Sequence, residues 1–427
     1  MDLTLPIESR PLAGCVRLAG DKSLAHRAAL FAALAQGESV VGNYPDSGVT
    51  RAMLGSLRSL GVDCSLEGGI LKVSGRGFAP LCSATNVDCR NSGTTMRLLA
   101  GAIAGTGGAA VLDGSAGLRS RPMGRVAEPL SAMGAEVSTS GGFAPISIAK
   151  GNYPLKAIDF TLPVASAQIK SALLLAALGA DGESCIKEPG PSRDHTERML
   201  RSMGAEIESR QLSVVAKPLS SPLKPLGGDL PGDISSATFI LVAAAIVPGS
   251  DVTVKDVLLN PTRTGILDVL SSMGAKISVS NESERFGETV GDVRLEYVPL
   301  KGVSIDGDLV VRSIDEFPAI AVAAAFADGV TTVRGARELR FKETDRIAQI
   351  VSQLRAIGTA VEEFEDGFAI EGGVAKGGAV DANGDHRIAM SMALAGLRVP
   401  VTVRNAQILN ESFPDFLSLL EKLGIGH

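Results

Sequence analysis

Apolar and polar positions along this 427-residue chain repeat as a unit that occurs six times. Each copy contains a helical pattern that ends in Leu-x-x-(Met/Leu/Ile)-Gly, and five of the six copies continue directly into a short strand-like run. Glycine closes a helix C-terminus well because it adopts the left-handed conformation without strain. A spacing of roughly 70 residues indicates one supersecondary unit copied along the chain. The glycines are Gly61, Gly134, Gly204, Gly274, Gly358 and Gly424.

A second pattern runs in phase with the first and consists of six Ala-rich helices, each preceded by polar residues or glycine. Runs such as Ala28–Ala33 and Ala319–Ala323 are apolar on nearly every face, which predicts helices buried on all sides. A buried helix with a polar first turn offers main-chain N–H groups and a positive dipole end to an anion. The predicted helix starts are near Lys22, Asn91–Gly93, Ser166–Gln168, Asp233–Ser235, Asp315–Glu316 and Asp385–His386.

Each unit is predicted to contain a strand, a buried helix, a strand, a surface helix and a further strand, so the fold class is α/β. The segment Lys217–Gly228 has three prolines and no periodicity, which is typical of a linker. With a second crossover near Gly14–Gly20, we expect one three-unit domain at 18–225 and a discontinuous one at 1–17 plus 226–427. If their helix N-termini face one another, the dipoles converge on a cleft that favours a polyanionic ligand.

Composition narrows the possible partners and the compartment. A formal net charge of −6 argues against nucleic acid or an anionic membrane as a partner. The apolar runs are too short to span a bilayer. Five cysteines without a C-x-x-C pair indicate reduced thiols, so we expect a cytoplasmic protein. Four scattered histidines lack zinc-like spacing, so we expect no metal site.

Cations occur at or beside the predicted helix starts, where they oppose the helix dipole, so local stability does not explain them. A solvated helix start is the alternative at any single position, and a surface salt-bridge helix is the alternative for Lys342 and Arg346, which are predicted to share one helical face. Two acids, Asp315 and Glu343, lie among these cations. Together they predict a site for polyanionic substrates with proton transfer. The cations are Lys22, Arg27, Arg121, Arg193, Lys342, Arg346 and Arg387.

At these residues the chain resembles the EPSP synthase (3-phosphoshikimate 1-carboxyvinyltransferase) family over essentially its whole length. The resemblance implies an inside-out α/β barrel fold: two pseudo-threefold domains, each of three repeated βαβαββ units, with the active site in the interdomain cleft. The matching segments are Gly20–Arg27, Asn91–Arg97, Arg121–Met123, Ser166–Ala172, Arg193–Glu197, Ile314–Glu316, Lys342–Arg346 and Asp385–Arg387.

The resemblance also implies the reaction. The enolpyruvyl group of phosphoenolpyruvate is transferred to the 5-hydroxyl of shikimate 3-phosphate by addition and elimination, a step of the shikimate pathway. Neither a metal nor an organic cofactor is implied, the partners are these two small molecules, and we expect a monomer.

The family's functional residues carry over to this chain as implied roles. Asp315, Glu343 and Lys22 are the implied catalytic residues: Glu343 exchanges the methylene proton, Asp315 accepts the hydroxyl proton, and Lys22 assists the leaving phosphate. The implied shikimate 3-phosphate contacts are Lys22, Ser23, Arg27, Ser166, Ala167, Gln168, Arg193, Asp315 and Lys342. The implied phosphoenolpyruvate contacts are Lys22, Gly93, Arg121, Gln168, Arg346 and Arg387.

The chain departs from the family's pattern at three places. Ala167 replaces a serine that many members have, Arg193 begins an Arg-Asp-His-Thr-Glu variant, and Glu411 replaces a lysine, so the phosphoenolpyruvate grip is weaker or differently built. Gly93 leaves room beside the phosphoenolpyruvate site, so we predict inhibition by glyphosate. Full activity at millimolar glyphosate would contradict this.

Three other functions fit the sequence less well. A UDP-N-acetylglucosamine enolpyruvyl transferase shares the fold, but that family has a reactive cysteine where Asp113–Arg121 has none, and Lys-Asn where this chain has Lys22-Ser23. A non-catalytic repeat scaffold would have no use for cations at buried helix starts. A nucleotide-dependent kinase is disfavoured because the chain has no G-x-x-x-x-G-K-[ST] loop.

Overall fold

The structure is a computed structural model that describes residues 1–7, 10–83 and 86–425. The α-helices of this part are α1 (Lys22–Leu34), α2 (Gly48–Ser59), α3 (Gly93–Gly105), α4 (Ala116–Arg119), α5 (Gly124–Ala132), α6 (Ala167–Ala177), α7 (His195–Ser202), α8 (Ile234–Ile246), α9 (Gly265–Ser272), α10 (Asp308–Arg312), α11 (Phe317–Ala325), α12 (Arg346–Ala356), α13 (His386–Ala395) and α14 (Phe416–Lys422). Short 3-10 helices cover Arg337–Phe341 and Ala406–Glu411.

The strands of the described residues, in chain order, are β1 (Leu3–Thr4), β2 (Ala13–Arg17), β3 (Gln36–Gly42), β4 (Asp63–Glu67), β5 (Ile70–Arg76), β6 (Val87–Asp88), β7 (Ala110–Asp113), β8 (Glu136–Ser140), β9 (Phe143–Ala149), β10 (Asp159–Thr161), β11 (Ser184–Lys187), β12 (Ile207–Arg210), β13 (Ser213–Ala216), β14 (Gly227–Asp229), β15 (Asp251–Leu258), β16 (Lys276–Arg285), β17 (Glu288–Glu296), β18 (Ser304–Ile305), β19 (Val330–Val333), β20 (Ala360–Phe364), β21 (Gly367–Glu371), β22 (Gly378–Asp381) and β23 (Val401–Arg404).

These strands form six sheets in the described part of the chain, one for each predicted unit. Five of them have four strands, and in each a short outer strand runs parallel to its neighbour, as β6 does to β7 and β10 to β11. The other strand pairs of these five sheets whose register is defined are antiparallel, such as β7 with β9 and β9 with β8. The sixth sheet has the order β1-β23-β22. The predicted α/β class with six repeated units is therefore confirmed.

The chain divides into two compact units. The terminal unit contains Met1–Leu18, Pro231–Ser283 and Thr289–His427, and the inserted unit contains Ala19–Leu230 and Glu284–Glu288. Two strands reach their sheets from distant parts of the sequence. In the inserted unit β14 pairs with β3, and in the terminal unit β2 pairs with β15.

The six Ala-rich helices are buried as predicted: α1, α3 and α6 in the inserted unit, and α8, α11 and α13 in the terminal unit. In α8 every residue is buried. In the inserted unit, α3 approaches α6 so closely that a Cβ on Gly101 would lie 2.1 Å from the carbonyl oxygen of Ala172. Close packing of this kind fixes the helix N-termini relative to one another.

The six helix-ending glycines also behave as predicted. Their φ angles all lie between 77° and 106°, the left-handed region in which a side chain would be strained. None of the helices within residues 1–7, 10–83 and 86–425 combines the length and hydropathy of a membrane-spanning segment.

Candidate active site

The start of α1 presents the first group of predicted residues in the inserted unit. Asp21 caps the helix by accepting a hydrogen bond from the main-chain N–H of Leu24, and Lys22 is the first helical residue. The side chains of Lys22 and Ser23 are half-buried. This arrangement leaves a lysine at the positive end of a helix that is buried from Leu24 to Leu34.

Arg27 lies one turn further along α1 and is only 3% exposed. Its Nε donates to Thr196 Oγ1 at 2.8 Å, and its Nη2 donates to Ser171 Oγ at 2.9 Å. Its Nη1 donates to the carbonyl oxygen of Ser23 at 3.0 Å. Burial lowers the pKa of Arg27 to about 10. Arg27 thus joins the first turn of α1 to α6 and α7 with a charge that remains present at neutral pH.

The starts of α3 and α6 form a second, strongly cationic group. Ser92 caps α3, so Gly93 is its first residue, and a Cβ there would lie 3.0 Å from Arg97 Nη1 and 3.4 Å from Arg121 Nη1. Arg97 Nη1 donates to Gln168 Oε1 at 2.5 Å, and Gln168 Nε2 donates to Thr94 Oγ1 at 3.0 Å. The structure therefore brings Gly93, Arg121 and Gln168 together, as a shared anion contact requires.

Arg97 is a residue of this group that sequence reasoning did not single out. Burial, followed by the charges of Arg121 and Arg125, lowers its pKa to about 10. Within residues 1–7, 10–83 and 86–425, neither Arg97 nor Arg121 forms an ion pair with a carboxylate. Two guanidinium groups without a paired acid favour an anionic ligand. The signal was available, since Arg97 ends the Asn-Ser-Gly-Thr-Thr-x-Arg motif.

The remaining predicted residues of the inserted unit lie at the starts of α6 and α7. Ser166 occupies the cap position of α6 without a side-chain capping bond, and Ala167 is the first helical residue. Arg193 is half-buried in the segment before α7, which begins at His195. The sequence left open that Ser166 serves only to cap α6. Its hydroxyl makes no capping hydrogen bond, so this purely structural role does not apply.

A buried ion cluster supports the segment that carries Arg193. Lys170 Nζ lies 2.6 Å from Glu188 Oε2 and 2.8 Å from Glu197 Oε1, and all three side chains are at most 5% exposed. The hydroxyl of Ser192 donates to Glu188 Oε1. Lys170 comes from α6 and Glu197 from α7, so the cluster fixes both helix starts and the loop between them.

In the terminal unit, the segment after the first 3-10 helix brings together the second set of predicted residues. Asp345 caps α12 by accepting a hydrogen bond from Ala348 N at 3.0 Å, so α12 begins at Arg346. Lys342 and Glu343 consequently precede the helix. The prediction that Lys342 and Arg346 share one helical face was wrong, because the aspartate cap starts the helix four residues after Lys342.

Arg346 is the centre of this set and is 1% exposed. Its Nη2 lies 2.6 Å from Glu343 Oε2, its Nε lies 2.7 Å from Asp385 Oδ2, and its Nη1 lies 3.7 Å from Asp315 Oδ1. Lys342 Nζ lies 3.5 Å from the same oxygen of Asp315. The two predicted acids of the terminal unit therefore share one buried guanidinium.

The same contacts set the protonation of Glu343. Burial acts to raise its pKa, but the charges of Arg346 and Arg387 lower the pKa below its ordinary value overall. Glu343 is thus ionised at neutral pH in the substrate-free protein. Its side chain is 43% exposed, so it can reach a ligand.

Arg387 completes the set from the start of α13. Its Nη1 donates to the main-chain carbonyl of Asp315 at 2.7 Å, and Asp385 caps the helix by accepting from Arg387 N at 2.9 Å. Asp385 also accepts from the hydroxyl of Thr344 at 3.2 Å. Asp385 therefore links α12 to α13, a role that the sequence did not reveal. The side chain of Glu411 lies outside the part of the chain that the structure describes.

Asp385 makes a testable contribution to acid stability. Its carboxylate is fully buried; burial acts to raise its pKa, but Arg346 lowers it below 3.8 overall. Its stabilising effect is therefore present above the unfolded-state value and is lost as pH falls through the lower folded-state value. We expect Asp385→Asn to reduce the free energy of unfolding at pH 7 by about 1.5–3 kcal/mol. Urea unfolding at pH 7 and pH 3 checks this.

The difference in unfolding free energy between wild type and Asp385→Asn should narrow at pH 3, because the unfolded wild type binds a proton at this carboxyl below its ordinary pKa while the folded protein resists doing so. Asp381→Asn is the matched control, since Asp381 lies at the end of β22 and, within the described part of the chain, its carboxylate accepts hydrogen bonds only from Asn383 and Asn405. An equal loss at both pH values would contradict the assigned ion pair.

The comparisons with known proteins identify the family. A model of the family described as EPSP synthase (3-phosphoshikimate 1-carboxyvinyltransferase) matches residues 7–420. The chain belongs to the EPSP synthase family. A 3-phosphoshikimate 1-carboxyvinyltransferase from Halorhodospira halophila is 48% identical over 423 residues, covering 97% of this chain and 94% of the relative. One from Acidithiobacillus ferrooxidans is 46% identical and covers 97% of this chain and 96% of its own.

Solved structures of the EPSP synthase family agree with the fold. The structure of EPSP synthase from Acinetobacter baumannii matches with a TM-score of 0.93 and 39% identity, covering 99% of this chain and 98% of that one. The enolpyruvyl transferase NikO from Streptomyces tendae matches with a TM-score of 0.77 at 20% identity, which shows the fold alone. The family and enzyme class predicted from sequence are confirmed, and the relatives support them over the sister transferase.

Proposed function

We propose that this chain transfers the enolpyruvyl group of phosphoenolpyruvate to the 5-hydroxyl of shikimate 3-phosphate, releasing inorganic phosphate. The observation that carries the proposal is the grouping of Asp315 and Glu343 around Arg346, with Lys342 and Arg387 beside them. Two acids held among three cations suit proton transfer on anionic substrates.

The addition step forms a carbon–oxygen bond and a carbon–hydrogen bond at the expense of the carbon–carbon double bond, and it moves two protons. The 5-hydroxyl oxygen of shikimate 3-phosphate attacks C2 of phosphoenolpyruvate, the carbon that carries the phosphate, and Asp315 takes the hydroxyl proton. Glu343, ionised in the free protein, first takes up a proton and then delivers it to the methylene carbon, which becomes a methyl group. The product is a tetrahedral intermediate that still carries the phosphate.

The elimination step reverses the proton movement on carbon. Glu343 removes a proton from the methyl group, the carbon–oxygen bond to phosphate breaks, and Lys22 assists the departing phosphate. The sum of both steps is 5-enolpyruvylshikimate 3-phosphate and phosphate, with the hydroxyl proton taken by Asp315 ending on the phosphate. No electron is exchanged with another group, so the balance requires no redox partner.

The proposed contacts follow the resemblance to the family. Shikimate 3-phosphate is bound by the hydroxyls of Ser23 and Ser166, the main chain of Ala167, and the cations Arg27, Arg193 and Lys342. Phosphoenolpyruvate is bound through Gly93, Gln168 and a set of guanidinium groups. That set is Arg97, Arg121, Arg346 and Arg387. Holding two mutually repelling anions in attack geometry supplies much of the rate enhancement.

The experiment measures phosphate release from phosphoenolpyruvate with the purified full chain. Shikimate 3-phosphate and UDP-N-acetylglucosamine are offered as acceptors in separate reactions, and mass spectrometry identifies the enolpyruvyl product. Release with shikimate 3-phosphate alone is expected. Release with UDP-N-acetylglucosamine alone would assign the chain to the sister reaction, and release with neither would favour a binding scaffold.

Gly93 offers a test of the phosphoenolpyruvate contacts. We expect Gly93→Ala to raise KM for phosphoenolpyruvate by about tenfold, because the added Cβ would crowd the guanidinium ends of Arg97 and Arg121. KM for shikimate 3-phosphate should change much less. Steady-state kinetics with each substrate varied in turn provides the measurement.

Gly55→Ala is the matched control, since Gly55 lies within α2 and a Cβ there meets nothing within 4 Å. It should have wild-type kinetics. Equal rises of both KM values in Gly93→Ala would argue against a specific phosphoenolpyruvate contact.

A further inference from the structure

A buried carboxylate next to Asp315 has no part in the mechanism proposed above. Glu316 is 1% exposed and occupies the position before α11. Its Oε1 accepts a hydrogen bond from the hydroxyl of Ser235 and lies 3.6 Å from Arg387 Nη1. A carboxylate withdrawn from water is costly unless it is paired, so its persistence here needs a reason.

A second buried residue, Arg263, supports Glu316 through Ser235. Arg263 is 3% exposed and its Nη2 donates to Ser235 Oγ at 2.8 Å. Asp233, the cap of α8, lies 3.5 Å from the same guanidinium and accepts from Ser235 N at 2.9 Å. A chain of contacts thus runs from Arg263 through Ser235 to Glu316.

Glu316 also contacts Arg387, the arginine that is proposed above to bind phosphoenolpyruvate. Among the described residues, the Arg387 side chain makes one hydrogen bond, from Nη1 to the carbonyl oxygen of Asp315, and the same nitrogen lies 3.6 Å from Glu316. A single hydrogen bond leaves a guanidinium free to pivot, whereas an ion pair in a second direction restricts that rotation. Glu316 Oε2 meets no hydrogen-bond donor among the described residues, so the carboxylate is committed to Ser235 and Arg387.

Three helix starts meet at this carboxylate. Ser235 belongs to α8, Glu316 precedes α11, and Arg387 belongs to α13, and these three helices pack against one another in the terminal unit. Their N-termini together create a positive potential that a buried negative charge satisfies. Glu316 occupies this positive region as a permanent anion. The three helix N-termini therefore do not bind the anionic substrate in place of Arg387.

We propose that Glu316 is a positioning residue that holds the guanidinium of Arg387 in the orientation that binds phosphoenolpyruvate, with Ser235 and Arg263 holding Glu316. The proposal rests on the function proposed above. A positioning role and a purely electrostatic effect of Glu316 predict opposite changes in phosphoenolpyruvate binding. Removing a negative charge 3.6 Å from Arg387 would by charge alone tighten anion binding, whereas loss of positioning weakens it.

The test is the kinetics of Glu316→Gln, which keeps the side-chain volume and an acceptor for Ser235 but removes the charge. We expect KM for phosphoenolpyruvate to rise by about tenfold while kcat and KM for shikimate 3-phosphate stay within roughly threefold. Ser235→Ala should shift KM for phosphoenolpyruvate in the same direction by a smaller factor. The double variant should resemble Glu316→Gln, because both changes break one chain of contacts.

Ser236→Ala is the matched control, since Ser236 lies on the same turn of α8 but donates to Asp233 rather than to Glu316. Thermal unfolding of every variant separates loss of folding from loss of positioning. An unchanged or lower KM for phosphoenolpyruvate in folded Glu316→Gln overturns the inference. If the wild type itself releases no phosphate, the proposed function fails and the positioning role fails with it.

Discussion

Replacing Glu343 with glutamine is expected to lower kcat by about 10²–10⁴-fold, the usual contribution of a positioned general acid or base. The amide retains the shape of the side chain but can neither deliver a proton to the methylene carbon nor remove one from the methyl group. Arg346 keeps its 2.7 Å contact with Asp385 in the variant, so both substrates should still bind. Phosphate release under saturating substrates measures the effect.

Glu362→Gln is the control for this variant, because Glu362 is exposed on the neighbouring β20 and should have no effect on kcat. A Glu343→Gln protein with kcat within tenfold of wild type would remove Glu343 from the mechanism. Circular dichroism and the unfolding midpoint should be the same in all three proteins.

Glu343 is ionised in the free protein, and a rise of its pKa on substrate binding would let it act first as a proton donor and later as a proton acceptor. Arg346 and Arg387 lower its pKa, and both are proposed to bind phosphoenolpyruvate. The negative charge of that substrate would offset the two guanidinium groups and raise the pKa of Glu343 toward the range of a proton donor. Departure of phosphate would then restore the base.

Replacing Lys170 with methionine is expected to reduce the free energy of unfolding by about 3–5 kcal/mol. Methionine fills a similar volume but leaves Glu188 and Glu197 buried without the cation that lies 2.6 and 2.8 Å from them. Urea unfolding at neutral pH measures the loss. The comparison must be made at equilibrium, with refolding confirmed for both proteins.

Lys187→Met is the matched control because it removes a lysine from an exposed pair. Lys187 Nζ lies 2.7 Å from Asp159, but the two side chains are 47% and 66% exposed. Water already solvates such a pair, so a change of about 0–1 kcal/mol is expected. A loss below 1 kcal/mol in Lys170→Met would show that the two glutamates do not depend on this lysine.

The repeated units could be predicted from the sequence because their signals are local. A glycine that closes a helix is determined by the φ angle of one residue, and an Ala-rich run shows its own burial. Six sheets and six buried helices followed from those signals. The partner strands β2 and β14 could not be placed in this way, since each pairs with a strand more than 180 residues away.

The residues of the candidate site could be predicted from the sequence, but the contacts among them could not. The motif ending in Arg97 was recognised, yet nothing in it shows that Arg121 would lie beside the same glycine. Lys170 stands in an apolar helix without an acid next to it, and its partners are 18 and 27 positions further along the chain. Pairing between distant side chains depends on how the helices pack, which periodicity does not contain.

Because of strand β2, folding of the terminal unit depends on the order in which the chain is synthesised. Ala13–Arg17 pairs with Asp251–Lys255, so the first strand of the sheet leaves the ribosome long before its neighbour exists. The inserted unit, apart from Glu284–Glu288, is continuous from Ala19 to Leu230 and can be completed in the meantime. During that interval the N-terminal segment has an unpaired strand edge, which is the kind of surface that chaperones protect and that aggregation exploits. A circular permutant that links residue 427 of this sequence to residue 1 and opens the chain between Leu18 and Ala19 would have an order of synthesis in which both units are nearly continuous.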